Sequence, residues 1–373
     1  MMRRRVLPLF CVGFEGVALP DGLRPWLEEG LGGVILFRRN LQELEQICRL
    51  TSELHASASA PPLLVGVDQE GGRVTRLPAP FLAPPPAAVL GRLDDPDLTR
   101  EVAYAVGREL RAAGFNWNLT PVLDVHTNPG NPIIGDRAFS PDPRRVARMG
   151  LAALRGFEAA GILATGKHFP GHGDTAVDSH LGLPESGQTT ARWREVEFAP
   201  FRAAIRGGIP SILVAHLACP ALDPTSPSSL SRVIITDILR GELGFDGVVV
   251  SDDMEMGAIA ARFDIGEAAV RFLEAGGDLI LVCRHADRQQ EAVTAVEAAL
   301  QGGRLTQERL QASLERLARF HDRIAPQPIQ PGALAARAIV GAEAHHALLA
   351  RILSAGSRPA DPSSGTTPPS AAS

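Results

Sequence analysis

Short runs that are apolar at nearly every position recur along the chain, each followed by a segment with helical spacing. A run without polar alternation marks a strand buried on both faces, as in a parallel sheet. Eight such runs stand out: Leu7–Phe14, Gly33–Phe37, Leu63–Val67, Phe115–Val125, Ile162–Phe169, Ser211–Leu217, Gly247–Ser251 and Asp278–Val282. Helix signals lie between them. Asp95-Pro96 supplies an N-cap and a proline at the first helical position, and Leu98, Val102, Val106 and Leu110 repeat every four residues until Gly114. Asp142-Pro143 opens another helix that Gly161 closes, and Leu41, Leu44, Ile47 and Leu54 put one apolar stripe on a third. Gly276-Gly277 ends the helix before the last strand. Eight successive βα units predict an α/β fold closed into a (β/α)8 TIM-type barrel.

Two regions fall outside the repeat. Pro78–Pro86 is a proline-rich loop, too rigid for a helix or a central strand. From Ser357 onward the chain has no large apolar residue, so residues 357–373 read as a short disordered C-terminal tail. Pro331–Leu353 is expected to form one last helix on the outside of the barrel. Residues 1–356 then make the barrel domain, and no second domain is expected.

Composition narrows the class. The 373 residues carry 37 Lys+Arg against 42 Asp+Glu, a net of −5, so there is no basic surplus to bind nucleic acid. With 45% hydrophobic residues the chain cannot be disordered throughout. Cys11, Cys48, Cys219 and Cys283 are far apart and form no CxxC pair, which reads as buried thiols in a reducing compartment. No apolar stretch approaches the roughly 18 residues of a spanning helix, so no membrane partner is expected. The start, MMRRRVLPLFCVGF, imitates a signal peptide. Glu15 follows directly and no A-x-A site is present, so it is read as a first strand in a cytoplasmic protein.

In a barrel of this kind, chemistry gathers where strands end and βα loops begin. Those ends carry Asp68 and Arg76 after the third strand, Asp124 and then Arg137 after the fourth, and Lys167 and His168 on the fifth. His216 ends the sixth and Asp252 the seventh. Carboxylates at a strand end facing several donors suit nucleophilic or electrostatic work, and sugars need many charged hydrogen-bond partners. In the loop after the fifth strand, Asp178 and His180 are two apart, so an extended chain turns both the same way. A carboxylate can then fix the imidazole tautomer and make a dyad that passes a proton near neutral pH. His168, His172, Asp174, Asp178 and His180 also permit a metal reading, but their spacing is not a zinc motif and no metal is expected. His55, His285, His321, His345 and His346 are read as solvated. The glycine-rich stretches Glu70-Gly71-Gly72 and Gly171-His172-Gly173 match no phosphate or dinucleotide fingerprint, so no cofactor is expected.

With these residues in place, KHFPGHGDTAVDSHLGLP, VDQEGGRV, GDRAF and VVVSDDM resemble glycoside hydrolase family 3. The likeness is to its single-domain bacterial β-N-acetylglucosaminidases of cell-wall recycling, and it runs from about Leu7 to His321. The resemblance implies Asp252 as the nucleophile of a retaining mechanism and His180, oriented by Asp178, as acid and then base. It implies Asp68, Arg76, Arg137, Lys167 and His168 as the residues that bind a terminal N-acetylglucosamine. The implied substrate is N-acetylglucosaminyl-β-1,4-anhydro-N-acetylmuramic acid with or without peptide, a small molecule, met in the cytoplasm by an enzyme for which a monomer is favoured. A phosphorylase or β-glucosidase on the same fold, a metal-dependent hydrolase and a catalytically silent wall-fragment sensor are the alternatives.

Overall fold

The computed structural model describes residues 2–59, 62–176, 182–324 and 332–356. The tail 357–373, and the pair Asp178 and His180, lie outside the described residues.

Eight parallel strands close on themselves in chain order: β1 (Phe10–Val12), β2 (Gly33–Leu36), β3 (Leu64–Val67), β4 (Trp117–Asn118), β5 (Leu163–Phe169), β6 (Ser211–Val214), β7 (Val248–Asp253) and β8 (Leu279–Val282). β1 pairs with β2 on one side and with β8 on the other, which seals the barrel. The (β/α)8 TIM-type architecture expected from the apolar runs is the one observed. Every residue of β1 to β6 and of β8 is buried, because one strand face fills the barrel and the other lies under helices.

Helix boundaries follow their capping residues. The Asp95 carboxylate accepts from Leu98 N at 3.0 Å and starts Pro96–Ala112. Asp142 accepts from Arg144 N at 2.9 Å and starts Pro143–Ala160, which ends on Gly161 at φ 74°. Ile265–Ala275 likewise ends on Gly276 at φ 110°. A Cβ on these two glycines would oppose a left-handed backbone.

Four expectations need correction. Leu7–Leu9 are a 3-10 turn, so β1 begins only at Phe10; Pro8 gives that segment a fixed φ and no amide proton. The fourth run shortens to Trp117–Asn118, because Pro121 cannot donate to a ladder, although Val122 still bridges Lys167. Leu41 is buried but precedes the helix Leu44–Ser57 that it was assigned to. The last helix is two, Ala333–Arg337 and Glu343–Gly356, interrupted where Gly341 takes φ 69° and its N–H donates to Glu109 Oε1.

The barrel interior depends on one close approach. Trp117 is fully buried and its Nε1 donates to Thr165 Oγ1 at 2.6 Å, with Ser211 Oγ 2.7 Å further on. A Cβ on Gly66 would lie 2.6 Å from the Trp117 ring. That strand must carry glycine where the indole crosses it. Gly66→Ala is therefore expected to cost about 1–3 kcal/mol through overpacking. A lower urea midpoint with an unchanged slope would register it.

Candidate active site

A cavity of about 410 Å³ opens at the C-terminal ends of the strands, and Asp68, Arg76, Arg137, Lys167, His168 and Asp252 all line it. The six described residues chosen from the sequence thus meet in one place. Asp124 and His216, the other strand-end residues, are 0% exposed and sit beneath it as supports.

Two register shifts make this convergence possible. Lys167 and His168 are consecutive, as are Asp252 and Asp253, and all four reach the same cavity. In a regular strand, neighbours point to opposite faces. The β5–β6 ladder shifts between Gly166 and Phe169, and the β7–β8 ladder shifts between Val250 and Asp253. An irregularity of that kind re-aims a side chain at a strand end.

The most tightly bound part of the site joins the loops after β3 and β4 to strand β5. Lys167 Nζ lies 2.6 Å from Asp68 Oδ1 and 2.6 Å from Glu70 Oε1. Glu70 also receives Arg137 through two parallel bonds of 2.8 Å, from Nε and Nη2. Burial opposes the charge on Glu70, and the nearby Lys167 and Arg137 outweigh it, so its carboxyl lies far below the usual range. Burial likewise works against Lys167 and Arg137, and their carboxylate partners hold both above their ordinary values. Glu70 was not picked out in the sequence except as the start of a glycine-rich stretch. Its place one residue beyond Gln69 in the Asp68 loop was the available signal.

His168 is held from both sides. Its Nδ1 donates to Asp124 Oδ2 at 2.6 Å, and its Nε2 faces Arg137 Nη2 at 3.2 Å. Asp124 also accepts the N–H of His172 at 2.6 Å, so one buried carboxylate orients both imidazole-bearing residues. Gln69 fixes the Asp68 loop: its Oε1 accepts Arg76 N at 2.8 Å while its own N–H donates to Asn118 Oδ1. The buried Nε of Arg76 has no partner among the described residues.

Asp252 lies opposite this cluster. Burial raises the cost of its charge, but His216, His168, the Asp253 N–H and Lys167 outweigh it, and its carboxyl falls below the ordinary value. Asp253 behaves in the opposite way, pushed up to about 7 chiefly by burial. Its Oδ1 accepts Glu255 N and Cys283 N, and its carbonyl accepts His216 Nε2, which ties the end of β7 to its neighbours.

Of the five histidines read as solvated, His55, His321 and His345 differ from expectation. His321 is 6% exposed, His55 Nε2 bonds the Gly114 carbonyl at 2.8 Å, and His345 Nδ1 bonds Glu109 at 2.6 Å. Only tertiary packing distinguishes these from His285 and His346, which are exposed. All four cysteines are buried and unpaired.

Residues 21–320 match the glycosyl hydrolase family 3 N-terminal domain. The chain belongs to glycoside hydrolase family 3. A β-hexosaminidase from Nitrosomonas eutropha is 38% identical over 317 residues, covering 82% of this chain and 90% of the relative. Among solved structures, a family 3 β-N-acetylglucosaminidase from Paenibacillus is 41% identical with a TM-score of 0.89, over 95% of this chain and 69% of that one. NagZ from Neisseria gonorrhoeae, solved with N-trifluoroacetyl-D-glucosamine, is 33% identical with a TM-score of 0.77, over 94% of this chain and 98% of that one. This family 3 chain is accordingly an enzyme, a glycoside hydrolase. Among its described residues no helix is long and apolar enough to cross a membrane.

Glu70→Ala in this hydrolase removes the carboxylate that both Lys167 and Arg137 contact, with an expected loss of about 3–5 kcal/mol at pH 7. A carboxyl held below its ordinary 4.5 contributes stability that is present above that pH and lost as the pH falls. Chemical denaturation at a series of pH values should show the gap between wild type and variant narrowing progressively as the pH is lowered beneath 4.5.

Proposed function

We propose that this enzyme is a retaining exo-β-N-acetylglucosaminidase that removes terminal N-acetylglucosamine from peptidoglycan fragments in the cytoplasm, as a step of cell-wall recycling. Its substrate in this reading is N-acetylglucosaminyl-β-1,4-anhydro-N-acetylmuramic acid, with or without peptide. The observation that carries it is the charge arrangement of the cavity. One carboxylate of lowered pKa, Asp252, stands across from a crowd of fixed donors.

The division of labour follows from that arrangement. Asp252 attacks the anomeric carbon as the bond to the leaving oxygen breaks, giving a covalent glycosyl-enzyme. His180 donates a proton to the leaving oxygen; Asp178 orients it. In the second half, His180 takes a proton from water as that water displaces Asp252. A histidine here replaces the second carboxylate found in most retaining glycosidases. The roles of Asp178 and His180 are supported by the DSH segment of the sequence. Asp68, Arg76, Arg137, Lys167 and His168, which line the cavity together, bind the sugar hydroxyls.

The test is product analysis on purified anhydro-muropeptide with the anomeric configuration followed by NMR. Release of the β-anomer of N-acetylglucosamine is expected, and an α-anomer as first product would overturn the retaining mechanism. A sugar 1-phosphate formed in phosphate buffer would instead identify a phosphorylase.

Variants separate the two steps. Asp252→Ala should lower kcat on the order of 10⁴-fold or more for every leaving group. His180→Ala should cost on the order of 10²–10⁴ with a sugar leaving group and far less with a nitrophenolate, which needs little protonation. Equal losses on both substrates would remove His180 from the acid role.

A further inference from the structure

Glu197 is a buried carboxylate that the reaction above leaves unused. It ends the π-helical turn Trp193–Glu197. Its side chain is 1% exposed, and among the described residues neither carboxylate oxygen has a hydrogen-bond partner. Arg192 Nη2 approaches Oε1 only to 3.5 Å, too far for a good charge-assisted bond. On its other side Glu197 meets Gly171. A Cβ built on Gly171 would lie 2.8 Å from Glu197 Cβ and 3.0 Å from Oε2, so glycine at φ 140° lets the turn rest directly on this side chain.

That turn belongs to the catalytic face. Gly171 joins Pro170 to His172, whose N–H donates to Asp124, and Asp124 in turn holds the His168 ring. Glu197 therefore lies directly behind the backbone between the two cavity-facing imidazoles. Of the charged groups around it, Arg192 favours the ionised form, whereas Asp124 and Asp174 oppose it. Burial is the largest influence, and together they push the carboxyl up to about 8. A carboxylate without donors in such a place is costly when charged and tolerable when protonated.

We propose that Glu197 is a positioning residue that works as the neutral acid, supporting the Pro170–His172 turn so that His168 and His172 keep their places in the cavity. Ionised, the group must seek water or close on Arg192, and either movement draws it from beneath Gly171. Its folded value lies above the ordinary 4.5, so the stability tied to the proton is full below that pH and is lost as the pH rises to about 8. Activity should fail as the pH passes the same value. The role does not depend on which residues act as nucleophile and proton donor.

The experiment is a pH profile of kcat and KM on 4-nitrophenyl N-acetyl-β-glucosaminide for wild type, Glu197→Gln and Glu197→Ala. This leaving group keeps the alkaline limb of a general acid small. Wild-type kcat is expected to fall about tenfold per pH unit above pH 8, while Glu197→Gln, a neutral isostere, stays within about twofold of wild type at pH 6.5 and holds its kcat into the alkaline range. Glu197→Ala should lower kcat at pH 6.5 by about tenfold with little change in KM. An identical alkaline limb in wild type and Glu197→Gln would overturn the proposal. So would a Gln variant as damaged at pH 6.5 as the Ala variant, since the charged form would then be the working one. If the amide does not fold, Glu197→Met repeats the comparison with similar length and no ionisable group, and a wild-type alkaline limb in it would be equally decisive.

Discussion

Lys167 between Asp68 and Glu70, with Arg137 clasping Glu70, is the interaction on which the site rests. Two cations and two carboxylates are taken largely out of water together, and each is tolerable there because the others are present. Their contacts of 2.6 to 2.8 Å join the loops after β3 and β4 to β5. The same contacts decide which side chains face a ligand. With its acceptors already held by cations, the wall offers a sugar a set of pre-aligned charges that need no rearrangement as a glycosidic bond breaks.

Support for this wall comes from below, and it is polar. Asp124 orients His168 and His172, and His216 holds the carbonyl of Asp253 beside Asp252. Each of these buried groups has its partners, as buried polar groups must. At the opposite end of the barrel, Asp278 is surrounded by Arg240, Arg309 and Ser313 and stitches β8 to the outer helices. That end has the character of a brace, whereas the end with the cavity turns Asp68, Arg76, Lys167, His168 and Asp252 toward open space.

Much of the fold was legible because a parallel barrel strand has no solvent face. Each of the eight apolar runs contains or overlaps one observed strand, and Asp95, Asp142, Gly161 and Gly276 bound their helices as read. The errors came where proline or glycine acts on one or two residues inside an otherwise uniform pattern. Pro8 delayed β1, Pro121 cut short β4, and Gly341 divided the last helix. Of the residues read from the strand ends and the loops beyond them, six line one cavity. Glu70 was passed over because its value lies wholly in partners 67 and 97 positions away.

The amino-acid order by itself determined the eightfold repeat and the end of the barrel that carries chemistry, because burial on both strand faces and helix capping are local properties. It also supplied the family, since a motif such as KHFPGHGDT is contiguous. Only the tertiary structure decided that Lys167 with His168, and Asp252 with Asp253, face one cavity, because strand register is fixed between neighbours and not within a strand. Likewise it decided that Asp124, His216 and Glu197 are buried while Arg76 lines the cavity, since the cost of a charge depends on what surrounds it and a sequence does not show its surroundings.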